Sequence, residues 1–163
     1  MSSLKILDMS AGNRAVWFNK NNPLATFLDK RPEVNPSIVC DTTKMPSEVG
    51  KDYDLVVFDP PHENTGANGH MTRRYGHSTR AEIIETIIGS GIEAHRVTKV
   101  NALMAFKWND HAFTLDKVLE LLAPNWEPLF GHHMRNRGGR EAKTQTYWVV
   151  LRRVSTPEGK ASE

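Results

Sequence analysis

The chain of 163 residues has a single cysteine, Cys40. That excludes an intramolecular disulfide and any zinc site built on cysteines, and it suits a reducing compartment. No apolar run approaches the length of a membrane span, and the opening "MSSLKILDMS" lacks the charged-then-apolar build of a secretory leader. The expected location is therefore cytoplasmic, with no membrane partner. Net charge is scarce as well: a balance of +2 permits nucleic-acid binding, and only the placement of the charges can argue for it. Seven histidines are present, but no metal-ligand spacing recurs, so no metal is expected. A Gly-rich run ending in Lys-Ser or Lys-Thr is missing too, which excludes a loop for nucleoside triphosphates.

What is present reads as one domain over residues 1–154, with "STPEGKASE" (155–163) as a disordered tail. Short apolar runs bounded by turn formers predict strands at 4–9, 24–29, 37–41, 53–59 and 101–108. Between two of them, "STRAEIIETIIGSGIEAHRV" (78–97) predicts a helix. Thr79 and Glu82 form a capping-box pattern, and Ile83, Ile84, Ile87, Ile88 and Ile92 make an apolar stripe. A second helix runs from Thr114 and is stopped by Pro124. The segments 126–135 and 143–153 flank a Gly-rich excursion and predict an antiparallel pair. The fold class is α/β and Rossmann-like: a seven-stranded, mostly parallel sheet with an antiparallel C-terminal hairpin and helices on both faces. One segment fits poorly, because "KRPEVNP" is too short for a crossover helix, so either that helix is missing or the strand boundary is wrong.

In such sheets ligands bind beyond the carboxyl ends of the strands, and four strands here end in an acid: Asp8, Asp29, Asp41 and Asp59. After Asp8, the small residues Ser10, Ala11 and Gly12 predict a tight strand-to-helix turn that a ligand can approach closely. Asp29 is placed to accept hydrogen bonds from both hydroxyls of a ribose, and Asp41 to take the amino group of an adenine. Asp also favours strand-end turns on its own account. The joint order points to a cofactor with ribose and adenine but no phosphate. In "DLVVFDPPH" (54–62) each proline fixes φ and removes an amide donor, giving a stiff turn. Asp59 and the Pro60 carbonyl can then accept two hydrogen bonds from one amino group, while Pro61 stiffens the turn and His62 covers the ring that carries the amine.

"LDMSAGNR" followed by "VVFDPPH" resembles the class I S-adenosylmethionine-dependent methyltransferases of the amino-methylating group, marked by Asp-Pro-Pro and an aromatic residue. Within that group the chain is similar to small stand-alone N6-adenine and N4-cytosine DNA methyltransferases, which share a lysine at the fifth strand end, here "FKWND", and an entry such as "KTQTYWVVLRR" into the last strand. The resemblance spans roughly residues 4–153. It implies S-adenosyl-L-methionine as cofactor, with Asp8, Ser10, Ala11 and Gly12 along its methionine part, Asp29 at its ribose and Asp41 at its adenine. It also implies a catalytic loop of Asp59, Pro60, Pro61 and His62. Two positions depart from the pattern: Arg14 stands where a second glycine is common, and His62 where Tyr, Phe or Trp is usual.

A base stacked in a duplex cannot reach such a loop, so the target must be flipped out or single-stranded. Arg73, Arg74, Tyr75 and Arg80 after the catalytic turn, with Arg135, Arg137, Arg140 and Lys143 in the C-terminal hairpin, form a candidate border for phosphates and unstacked bases; solvated surface loops are the plainer alternative. Lys107 either joins this substrate group, supports the catalytic loop, or closes the sheet. No segment has room for a separate recognition region, which leaves low specificity, a recognition partner or homodimer, or an RNA substrate. The expected activity is methyl transfer to a nucleobase amine, adenine N6 or cytosine N4 in DNA before tRNA or rRNA. The rival is an inactive nucleic-acid-binding subunit with the same fold.

Overall fold

The computed structural model describes residues 3–61, 78–135 and 144–155. Its strands are β1 (Ile6–Asp8), β2 (Ala25–Asp29), β3 (Ile38–Val39), β4 (Tyr53–Phe58), β5 (Thr98–Asn109), β6 (Trp126–Arg135) and β7 (Gln145–Arg153). They form one sheet in the order β3-β2-β1-β4-β5-β7-β6. Pairing is parallel from β3 through β5, and β7 alone runs against its neighbours. The chain thus runs outward from β1 through β2 to β3 and then crosses back to β4 on the other side of β1, so the carboxyl ends of β1 and β4 flank a switch point.

Register explains the core. Leu7 lies beside Val56, Val56 beside Met104 and Met104 beside Leu151, while Phe58, Phe106 and Val149 form the next row on the same face. These residues are nearly all inaccessible and belong to one cluster. Both α-helices among the described residues, α1 (Arg80–Val97) and α2 (Leu115–Leu122), send side chains into it. On α1 the buried line is Ile83, Ile87, Ser90, Gly91, Ala94 and Val97, whereas Ile88 and Ile92 face outward. The apolar stripe read from the sequence is therefore shifted. Gly91 is required by contact: a Cβ there would lie 2.8 Å from Leu122 Cδ2, and its carbonyl accepts a hydrogen bond from the buried Trp126 indole at 2.9 Å.

Start signals act as the sequence predicts. Thr79 accepts from the Glu82 amide while Glu82 accepts from the Thr79 amide, a complete capping box. Thr114 caps α2 through the Lys117 amide.

The connection from β1 to β2 differs from expectation. The small residues after Asp8 lead into successive turns, not a helix, through 9–24. Ala11 O accepts from the Arg14 amide at 2.7 Å and Arg14 O from the Trp17 amide at 3.1 Å, but Arg14 itself has φ 55°. A left-handed residue there, then Asn19, Asn21, Asn22 and Pro23, stops helical propagation. The short segment after β2 likewise holds only one 3-10 turn, Pro32–Val34, ended by Asn35 at φ 52°. The crossover helix is missing there; the strand assignment was sound. This sheet face is covered locally instead, with Trp17 edge-on to Phe27 at 5.2 Å and the Arg14 guanidinium over the same ring at 4.1 Å.

Candidate active site

Three of the four strand-end acids gather at the switch point. Asp59 follows β4 directly, and its amide donates to Ser10 Oγ at 2.7 Å, tying the Asp-Pro-Pro turn to the loop after β1. Its Oδ2 accepts from Lys107 Nζ at 2.7 Å, with the two side chains 24% and 26% exposed. Lys107 reaches it because Phe106, one residue earlier, pairs with Phe58, one residue before Asp59. Lys107, for which the sequence leaves several readings open, is in contact with Asp59. Pro60 is buried and Pro61 exposed.

Asp8 is 1% exposed and holds the loop from beneath. One oxygen accepts from the Ser10 amide at 3.0 Å, the other from the Trp17 indole at 2.7 Å. Burial raises its carboxyl to about 6; these two bonds oppose the rise, and the nearby Asp59 and Asp29 charges add to it. Nothing in the sequence marks Trp17 for this position.

Asp29 is 8% exposed yet shifts the other way. Burial pushes its carboxyl up, but the Arg31 side chain, the Arg31 amide and the Gly12 amide together hold it below the ordinary carboxylate value. Oδ1 accepts from the Arg31 amide at 2.9 Å and Nε at 3.0 Å; Oδ2 accepts from Arg31 Nη2 at 3.0 Å and the Gly12 amide at 2.9 Å. Gly12 stands at φ 48°, a left-handed conformation that suits glycine. Ala11 is buried behind it, its amide donating to Leu28 O at 3.0 Å.

Asp41 lies beyond β3 and is exposed. Its Oδ1 accepts from the Thr43 amide at 2.8 Å and hydroxyl at 2.7 Å, bonds that lower its carboxyl. Arg14, at the position that departs from the family pattern, donates to the Lys20 and Asn35 carbonyls and clamps the loop instead of leaving space.

Of the residues expected to grip a substrate, Arg80 opens α1 with its guanidinium 4.2 Å from the Phe113 ring centre. Arg135 ends β6, and its side chain lies outside the description, as do His62, Arg73, Arg74, Tyr75, Arg137, Arg140, Lys143 and the tail after Ser155. At the mouth of the hairpin, Asp110 accepts from the Gln145 amide at 2.6 Å, and Asn109 donates to the Thr146 hydroxyl at 3.0 Å. Among the described residues no cluster of His, Cys, Asp and Glu could hold a metal, and no helix is long and apolar enough to cross a membrane.

No protein-family model matches the chain, and no curated protein matches its sequence. Solved structures do match. The N-methyltransferase NodS from Bradyrhizobium japonicum WM9, in complex with S-adenosyl-L-homocysteine, superposes with TM-score 0.62 at 10% identity, covering 93% of this chain and 79% of that one. An rRNA methylase from Streptococcus thermophilus gives 0.57 at 12% identity, covering 93% and 87%. The chain has the class I methyltransferase fold. The cyclase SpnF also superposes, with TM-score 0.61 at 11% identity over 94% of this chain and 76% of that one. The methyltransferase fold alone thus leaves the reaction open, and the side chains at the strand ends must argue for it.

Proposed function

We propose that the protein is an S-adenosylmethionine-dependent methyltransferase acting on the exocyclic amino group of a nucleic-acid base, adenine N6 or cytosine N4 in DNA. The observation that carries this is Asp59: an acid on a proline-stiffened turn at the switch point, held by Lys107 and joined through Ser10 to the loop after β1. The donor set of that region fits the cofactor. Carboxylates at the ends of β2 and β3 suit ribose hydroxyls and an adenine amine, and the loop from Ser10 to Gly12 offers backbone at close range, with Gly12 at φ 48°. Asp8, nearly inaccessible, acts by holding that loop. NodS, with its bound S-adenosyl-L-homocysteine, supports the same cofactor here.

When bound, S-adenosylmethionine supplies an electrophilic sulfonium methyl group. The chain's own task is to present a nitrogen that is a poor nucleophile, because its lone pair is delocalised into the base. Asp59 and the Pro60 carbonyl accept its two hydrogens, which favours a tetrahedral nitrogen and directs the lone pair. Lys107 keeps the Asp59 carboxylate oriented. Asp59 need not be a strong base, since the amine becomes acidic only once alkylated. Arg80, with the basic residues of 63–80 and 132–143, supplies the phosphate-gripping border.

Transfer of labelled methyl groups to DNA, RNA and protein pools, with nucleoside analysis of the product, tests the proposal. N6-methyladenine or N4-methylcytosine in DNA is the expected product, and label confined to protein would sink it. The rRNA methylase among the matches favours RNA as the second reading. The saturated Asp29 favours a silent subunit as the third, and that reading requires no thermal stabilisation by S-adenosylmethionine.

A further inference from the structure

Arg31 takes no part in the chemistry proposed above, yet it fills the place where a ribose would bind. A carboxylate offers about four lone-pair positions, and Asp29 uses four: the Gly12 and Arg31 amides take one on each oxygen, and the Arg31 Nε and Nη2 take the other two. The amide bonds are fixed by the backbone. The guanidinium bonds belong to a side chain that is 23% exposed. The same guanidinium lies against the β1 loop, where a Cβ on Gly12 would be 3.4 Å from Nη2. Its two N–H groups go one to each carboxylate oxygen, the arrangement that two adjacent ribose hydroxyls would reproduce donor for donor.

We infer that Arg31 is the specificity-determining latch of the nucleoside site: it holds Asp29 in a bidentate pair, and a ribose enters when its vicinal hydroxyls replace the guanidinium fork. The inference rests on the proposal that Asp29 receives the cofactor's ribose. A ligand bringing only one hydroxyl leaves an acceptor position unfilled, so the latch favours an intact ribose over a deoxyribose. Binding also exchanges an ion pair for hydrogen bonds from uncharged hydroxyls. Salt screens that pair, so added salt weakens the competitor more than the ligand.

Isothermal titration with S-adenosyl-L-homocysteine tests this on the wild type, Arg31→Gln and Arg31→Lys, at low and high sodium chloride. Arg31→Gln is expected to bind about tenfold more tightly than wild type at low salt, the value of one partly buried ion pair, with the gap narrowing at high salt. Arg31→Lys should fall between them, because an ammonium cannot span both oxygens. Equal or weaker binding by folded Arg31→Gln overturns the latch while the cofactor assignment stands. If Arg31→Gln does not fold, Arg31→Lys binding no tighter than wild type has the same force. Failure of wild type and both variants to bind overturns the methyltransferase proposal and the latch together.

Discussion

Asp29 and Asp59 end two strands of the same sheet, and each meets a cation, but the two corners are built differently. The cation of Asp29 comes from two residues along the chain and grips both oxygens, while backbone amides fill the remaining positions. That of Asp59 comes from a different strand, 48 residues away, as an ammonium on Oδ2, and the carboxylate stays 24% exposed. The two amide bonds at Asp29 make a fixed frame, which suits the anchor proposed for a group that binds and stays. A flexible ammonium beside Asp59 suits the acceptor proposed for a substrate amine that arrives and leaves. Asp8 completes the comparison: more inaccessible than Asp29 and served only by neutral donors, it has its carboxyl raised to about 6 where Asp29 is lowered. At Asp8 burial outweighs two hydrogen bonds, whereas at Asp29 the bonds from the Arg31 side chain, the Arg31 amide and the Gly12 amide outweigh it.

The sharpest way to separate the corners is Asp59→Ala, expected to lower turnover by at least about a thousandfold while leaving S-adenosyl-L-homocysteine affinity nearly unchanged, since this acid faces the substrate amine. Retained turnover, measured by labelled methyl transfer, would remove Asp59 from the mechanism. Asp29→Ala should do the reverse, weakening S-adenosyl-L-homocysteine binding by about a hundredfold in titration, because two charge-assisted hydrogen bonds to the ribose are lost. If both variants lose binding equally, the division between anchor and acceptor fails.

The third prediction concerns pH. The Asp8 carboxyl is raised from 3.8 to about 6 in the folded chain, so the folded state binds the proton more tightly than the unfolded one. Its charge therefore subtracts from stability above about pH 6, and that penalty fades as pH falls towards 4. Asp29, lowered, contributes stability that is present above its unfolded value and lost as pH falls below it. Relative to Asp8→Asn, the wild type should gain on the order of 2 kcal/mol between pH 7 and pH 4 in urea unfolding, and parallel curves would refute the assignment. The smallest effect is expected of Ser10→Ala, which leaves the Asp59 amide without its acceptor: about 1 kcal/mol of stability in the same unfolding experiment, with a fall in turnover and no change in cofactor affinity. A variant indistinguishable from wild type in both would show that the two corners do not communicate through Ser10.

Most of the fold was legible because its signals are local. The capping box at Thr79 and Glu82, the apolar strand runs and the Pro124 stop depend on residues within a few positions of one another, and each element formed close to its expected bounds. The turn after β1 was misread for the opposite reason. Small residues after a strand often open a helix, and what prevented it was a left-handed Arg14 clamped to the carbonyls of Lys20 and Asn35. The direction of α1 was also only half legible, since Ile88 and Ile92 look inward by spacing until Gly91 is seen to be the residue that Leu122 and Trp126 need.

The sequence by itself determined the order of strands and helices, the four acids at strand ends and the stiff Asp-Pro-Pro turn, because period, turn chemistry and proline geometry are properties of short stretches. Only the tertiary structure decided what those acids touch. Whether an acid is held by Arg31, by Lys107 or by the Trp17 indole depends on strand register and on how a loop folds back, and burial then sets each acid's charge. Those partners distinguish an anchor from an acceptor, and no spacing along the chain records them.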